Sequence, residues 1–363
     1  MTRAPAERYV VFGTGGVGKT TTAAALGVML ARRGRRTLVV TTDPARRLAD
    51  VLGVVASAEP GPVPWQAGLD CWMPEARAAT QSLAADLLVG RPELAAALQV
   101  NPVFDLLCSG LAGVHDLATV ASLGVRAAAY DAVVIDTAPA RHAIELVSLP
   151  ARLGALLDSR AVQWLGRLSA NGLAERRGLS ARLLDWGQRR FVARFEAALG
   201  GRTVAACMEV FTALTVAQPQ LAETTRSAAE ILLGAGTRHV VVLAPRPGAE
   251  HEAAYFTDQL AAFDRRVALF VINKVGGSSA WIDELAGRTD LGPAVRAAVE
   301  LALAETAIGA ATTSRIAWLL GDHASGAPIL AVPVIHDAEP TDVVQAVARF
   351  LAPACADGAP VAA

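Results

Sequence analysis

A lysine and a threonine close the glycine-rich run Gly13-Thr14-Gly15-Gly16-Val17-Gly18-Lys19-Thr20, which follows directly on the apolar stretch Tyr9–Phe12. The spacing is that of a phosphate-binding loop between a strand and a helix. Glycines allow positive φ and bring backbone N–H groups close to phosphate oxygens. Lys19 then brings a positive charge to the β- and γ-phosphates, and the Thr20 hydroxyl can ligate Mg²⁺. Thr21 opens an Ala- and Leu-rich stretch to Arg33, read as a helix whose N-terminal dipole would face the same anion. Together these residues predict a site for a nucleoside triphosphate.

Two carboxylates stand where such chemistry needs them. The apolar run Thr37–Thr41 leads to Asp43, placed to orient or deprotonate a water that attacks the γ-phosphoryl group. Asp43 also suits the N-cap of a helix over Pro44–Leu52, since proline fits the first helical position; a capping carboxylate keeps one oxygen for other work. The run Ala132-Val133-Val134-Ile135 ends at Asp136, the presentation of a carboxylate that holds Mg²⁺ directly or through water. Asp43 is a second candidate for holding the metal through water. Arg141 and His142 follow in a segment close enough to respond to a γ-phosphate. After Val267–Ile272 comes Asn273-Lys274-Val275-Gly276. A guanine reader would need an acid at position 276; the glycine there leaves Asn273 to pair with adenine. The nucleotide expected is ATP or ADP.

These residues require a scaffold that brings strand ends together. Apolar β-rich runs at Tyr9–Phe12, Thr37–Thr41, Ala132–Ile135, His239–Leu243, Val267–Ile272 and Ile329–Val332 alternate with helix-like stretches. The pattern predicts an α/β fold with a doubly wound, mostly parallel sheet, its ligands at the carboxyl ends of the strands. From about Cys71 to Arg126, and again from Arg141 to Gly236, helical patterns take over and no strand is expected. Residues 1–351 therefore read as one nucleotide-binding domain carrying helical insertions at about 71–126 and 141–236, with 352–363 as a flexible tail. The insertions either thicken the core or present a partner surface. The apolar stretches Leu146–Leu157 and Leu301–Leu320 either pack on the sheet or pair subunits.

Composition narrows the classes. The net charge is −1 and basic residues are scattered, so no nucleic-acid partner is expected. Cys71, Cys108, Cys207 and Cys355 are far apart with no C-x-x-C, so neither a zinc site nor a metalloid site is expected. The same pattern suits a reducing cytoplasm. An apolar strand begins within about ten residues of the start, so no signal peptide is expected. No run reaches the roughly 18 apolar residues of a membrane span.

Taken in order, Gly13–Thr20, Thr42-Asp43-Pro44-Ala45, Asp136-Thr137-Ala138-Pro139 with His142, Asn273 and Ala331-Val332-Pro333 resemble the ArsA family of P-loop ATPases. That family includes the arsenite-pump ATPase and the ATPase that targets tail-anchored membrane proteins. The resemblance implies that Gly15 to Thr21 cradle the phosphates with Thr20 on Mg²⁺. It implies that Asp43 positions the attacking water, that Asp136 opens the second switch segment, and that Asn273 and the backbone near Pro333 contact adenine. It further implies an ATPase that works as a homodimer, its hydrolysis cycle driving a protein or membrane-protein partner. The family usually has a lysine where this chain has Thr14. Arg141 or Arg46, both beside switch segments, either replaces that charge or forms surface ion pairs. The thiolate cluster, the zinc-bridging cysteine pair and the Met-rich groove of family members have no counterpart here.

Overall fold

The computed structural model of the 363-residue chain describes residues 6–43, 47–57, 59–110, 112–137, 201–276, 280–323, 326–336 and 338–354. Among them, eight strands form one sheet in the order β3-β4-β2-β5-β1-β6-β7-β8. These are β1 (Glu7–Gly13), β2 (Thr37–Thr41), β3 (Gly61–Pro62), β4 (Leu69–Trp72), β5 (Ala132–Asp136), β6 (Thr237–Leu243), β7 (Val267–Val275) and β8 (Ile329–Pro333). Every pairing is parallel except the short β3 against β4. The central strands are valine-rich and buried along their whole length, as parallel strands covered on both faces must be. The expected doubly wound α/β fold is present.

Register explains the site. β5 lies between β2 and β1, and Asp136 is in register with Thr41 of β2 and with Val11 of β1. The strand that ends in the carboxylate is thus flanked by the two strands that end in the glycine loop and in Asp43. On the other side of β1, Gly13 is in register with Val242 of β6, and Leu243 of β6 with Ile272 of β7. The loops that follow β6 and β7 therefore open at the same edge as the glycine loop. Ligand crevices in such sheets form where neighbouring strands connect in opposite directions, and β1 sits at that point.

Three helices wall this crevice. Helix α1 (Lys19–Arg32) is buried from Thr22 to Ala31. Its alanines at 23, 24 and 25 let it approach the sheet on one side while other elements cover its back. Helix α2 (Arg47–Leu52) adds Leu48 and Leu52 to the same core. The chain's last described helix, running over Pro340–Ala354, buries Val344, Val347, Ala348 and Leu351 there. That spacing is one face of a 3.6-residue period.

The chain divides into two compact units: Met1–Pro74 with Arg126–Ile144 and Leu232–Ala363, and Glu75–Val125 with Glu145–Ile231. In the second, helices α3 (Ala76–Leu87), α4 (Pro92–Gln99), α5 (Pro102–Gly110), α6 (Ala112–Arg126) and α7 (Gly201–Leu233) are described. Leu88, Leu98, Val210, Ala213 and Ala217 form one of its cores. Asn101 starts α5 by accepting the N–H groups of Val103 at 2.9 Å and Phe104 at 3.0 Å. Its amide donates to the Ala206 carbonyl at 2.9 Å, which ties the cap to α7. In the first unit α8 (Ala249–Ala261), α9 (Ala280–Ala286), α10 (Pro293–His323) and α11 (Pro340–Ala354) complete the description.

One sequence expectation needs correction, and another is qualified. Cys71 and Trp72 belong to strand β4, and helix begins only at Ala76. Asp70 interrupts the four-residue strand and hides it among polar neighbours. Within Leu301–Leu320, packing on the sheet is not general: Leu301 and Ile308 are about 60% exposed (62% and 60%) and Trp318 is 67% exposed. Leu146–Leu157 lies outside the described residues.

Candidate functional site

The glycine loop leaves β1 at Gly13, where an added Cβ would stand 2.5 Å from the Val242 carbonyl oxygen. It enters α1 at Gly18, whose φ of 93° lies in the left-handed region. A side chain at Gly18 would also run into the amide of Asn273. Only glycine fits both positions. No side chain caps α1 at this end, so its first N–H groups face the loop as an anion-binding terminus.

Lys19 is 8% exposed and donates to the Thr14 carbonyl at 2.8 Å. Its ammonium thus bends back onto the loop, and Lys19 lines the cavity beside it. Burial lowers its pKa below the ordinary lysine value, and the charges of Asp136 and Asp43 work against that shift. Lys19 thus stays available as a poorly hydrated cation, which raises its attraction for an incoming anion.

Asp136 is fully enclosed. Its Oδ2 accepts from the Thr20 hydroxyl at 2.8 Å and from the Thr41 hydroxyl at 3.1 Å. Its Oδ1 is buried with no hydrogen-bond partner. Burial pushes the carboxyl up to about 6, although both threonine hydrogen bonds act in the opposite direction. An orphaned buried carboxylate oxygen beside a threonine hydroxyl is a donor set suited to a hard, oxygen-loving cation. These residues fit Mg²⁺.

Thr41 was not singled out in the sequence. Its hydroxyl donates to Asp136 and accepts the Asp43 N–H at 3.1 Å, so one oxygen joins the two carboxylate segments. Asp43 itself pairs with Arg47 at 3.6 Å, and its side chain is 15% exposed. The described part of α2 begins at Arg47, four residues beyond Asp43. Residues 44–46, with Arg46, and 138–200, with Arg141 and His142, lie outside the described residues.

β7 supports the loop from the other side. Asn273, buried, donates its amide to the Val17 carbonyl at 2.9 Å. The β7–β8 register shifts between Asn273 and Val275, and the intervening Lys274 has φ 62°. The irregularity turns Lys274 back across the strand ends, where its ammonium donates to the Gly16 carbonyl at 3.0 Å. Sequence reading assigned Asn273 to adenine; in the structure its amide grips the loop while the residue still borders the cavity. A cavity of about 590 Å³ runs from Gly16, Gly18, Lys19, Thr20 and Thr21 past Asp43 to Pro333, Val334 and Ile335. Val343 and Val347 of α11 close its apolar end. Its lining combines the cations and helix terminus at Lys19 with the apolar side chains of Val334, Ile335, Val343 and Val347, a combination suited to a nucleotide.

Thr14 has partners that the sequence did not announce. Arg246, in the loop after β6, donates to its hydroxyl at 2.6 Å, and that hydroxyl donates to Glu252 of α8 at 2.9 Å. Among the described residues, the arginine at Thr14 is therefore Arg246, whereas the sequence pointed to Arg141 or Arg46.

Comparison with known proteins matches residues 7–174 to the family model described as anion-transporting ATPase. ATPase get3 of Aspergillus terreus is 30% identical over 162 residues, covering 44% of this chain and 46% of that protein. An uncharacterised protein of Streptomyces coelicolor is 36% identical over 153 residues, 40% of this chain and 37% of its own length. The ATPase ASNA1 homolog of Entamoeba dispar is 32% identical over 161 residues, 41% and 47% of the two chains. The matched segments thus span less than half of these curated relatives.

Proposed function

We propose that the chain, which over residues 7–174 is similar to the ArsA-type ATPases, is a Mg²⁺-dependent ATPase that switches between ATP and ADP states. The observation that carries this reading is the buried, half-satisfied Asp136 against Thr20, at the mouth of the loop that holds Lys19. Lys19 leaves the Thr14 carbonyl for the phosphates, while the loop and α1 N–H groups hold their oxygens. Thr20 and Asp136 would hold the metal, and Asp43 would orient the attacking water or hold the metal through one. Bound there, Mg²⁺ would neutralise charge developing on the β- and γ-oxygens. Adenine occupies the end of the cavity bordered by Asn273 and the backbone at Pro333.

The chain works as a homodimer whose nucleotide state is passed to a protein or membrane-protein partner. The family's anion-transporting description makes a membrane pump one such partner. Among the described residues no helix is long and apolar enough to cross a membrane.

A second reading, a sensor that binds nucleotide without turnover, is favoured by Thr14. Its hydroxyl is already engaged and supplies no charge. ATP hydrolysis by wild type, Lys19→Ala, Asp43→Asn and Arg141→Ala, with oligomeric mass measured in ATP and in ADP, decides between them. The ATPase reading expects turnover to fall more than about a hundredfold in the first two variants, the scale of losing one transition-state donor. It also expects a nucleotide-dependent change in mass. Tight binding of ATP with no turnover in wild type would establish the sensor.

A further inference from the structure

The glycine loop is held from three sides, and two of the grips are accounted for: Asn273 on the Val17 carbonyl and Lys274 on the Gly16 carbonyl. The third is a closed triangle. Arg246 donates to the Thr14 hydroxyl at 2.6 Å and to Glu252 at 2.7 Å, and the Thr14 hydroxyl donates to the second Glu252 oxygen at 2.9 Å. Each member is fixed by its own surroundings. Arg246 sits in a turn whose N–H reaches the Ala244 carbonyl at 2.8 Å, and its carbonyl accepts the Ala249 N–H at 3.1 Å. Glu252 lies in the first turn of α8, after the left-handed Gly248, where the helix dipole favours a carboxylate.

We propose that Arg246 and Glu252 are positioning residues that clamp Thr14 and so hold the glycine loop ready for the triphosphate. The inference rests on the nucleotide reading of the site. In the resting loop Thr14 is pinned twice, its hydroxyl by the clamp and its carbonyl by Lys19. When a triphosphate arrives, Lys19 turns to it and the carbonyl contact is lost. From then on the clamp is what holds Thr14, with Lys274 still on the Gly16 carbonyl beyond it. Gly15 and Gly16 next to it are exposed, and an added Cβ at either would meet open space, so no packing supplements the Lys274 hold on the Gly16 carbonyl. An unbraced glycine segment must be ordered by the ligand at the ligand's expense in affinity.

The clamp is a bidentate carboxylate device, which makes its chemistry testable. Glu252→Gln and Arg246→Met should each weaken equilibrium binding of a fluorescent ATP analogue with Mg²⁺ about tenfold, the effect of leaving roughly one more backbone residue to be ordered. KM should rise in parallel and kcat change less than about twofold, since the clamp does not touch the reacting phosphoryl group. Arg246→Lys should recover part of the affinity. The nucleotide-free unfolding temperature should move by less than about 3 °C, because a half-exposed ion pair adds little to global stability. Both variants binding ATP as wild type does, while Lys19→Ala loses binding, would remove the clamp and leave the nucleotide site standing. A fall in kcat at unchanged affinity would overturn the positioning role in favour of direct action on the phosphates. Wild type and Lys19→Ala both failing to bind would overturn the nucleotide reading and the clamp with it.

Discussion

Thr41 places two hydrogen bonds on one oxygen, and that economy has a measurable consequence. Its hydroxyl holds Asp136 Oδ2 and receives the Asp43 N–H, so removing it frees both carboxylate segments at once. Thr41→Val keeps the shape and the β-branching that β2 wants, and deletes only the hydroxyl. A hydrogen bond to a charged group contributes about 1.5–3 kcal/mol. Mg²⁺ should therefore be needed at about tenfold or higher concentration to support tight ATP binding, a titration that Thr41→Ser should restore. At this scale the sequence was informative where chemistry is written into a motif: Lys19, Thr20 and Asp43 border one cavity, and Asp136 is hydrogen-bonded to Thr20 beside it. It was silent on Thr41, Arg246, Glu252 and Lys274, whose roles exist only through partners distant in the chain. Thr14 and Glu252 are 238 positions apart. No local pattern marks such a pair.

The elements were legible in proportion to the regularity of their periods. Valine-rich buried strands and the long alanine-rich helices announce themselves, whereas β4 carries Asp70 in four residues and passes for a turn. Helix α11 is the strongest case. Its apolar face at Val344, Val347, Ala348 and Leu351 is readable from spacing alone, and all four side chains are buried. Its position at the cavity was not readable, because contact with the loop end of β8 depends on the order of strands. Leu351 lies one turn beyond Val347 and two beyond Val343, which border the cavity, and does not itself line it. Leu351→Ala should thus lower global stability by about 2–5 kcal/mol, the range for a large-to-small change in a packed core. ATP affinity of the protein that remains folded should stay within about twofold. Chemical denaturation and nucleotide titration at the same temperature test the two halves of this expectation. A large loss of affinity would show that the cavity wall moves with the far end of the helix.

For the whole molecule, the site and the stability are linked through Asp136 and His239, whose titrations have opposite signs. The metal-free native state keeps the Asp136 proton up to about pH 6, against an ordinary value of 3.8 in the unfolded chain. Between those values the native state binds more protons than the unfolded one, so stability falls as pH rises. His239 is buried at β6 with its ring against the Leu232 carbonyl, 2.9 Å away. Burial lowers its pKa below 6.5, opposed by its backbone hydrogen bonds. The unfolded chain then takes up the extra proton as pH drops through 6.5, so stability falls toward acid. The two slopes oppose each other just below about pH 6, and the metal-free protein should show a shallower profile there than either group alone would give. Asp136→Asn isolates the terms. Its stabilising effect should be greater at pH 7.5 than at pH 5 by about 1–2 kcal/mol, the proton linkage of a carboxyl displaced by about two units. The same variant should lose Mg²⁺-dependent ATP binding, so a gain in stability and a loss of function arise from one atom pair. Denaturant titrations of both proteins without metal, at the two pH values, read the difference directly. An equal effect at both would mean that water or a neighbouring hydroxyl already satisfies Oδ1, and that the buried carboxylate is not held in wait for a cation.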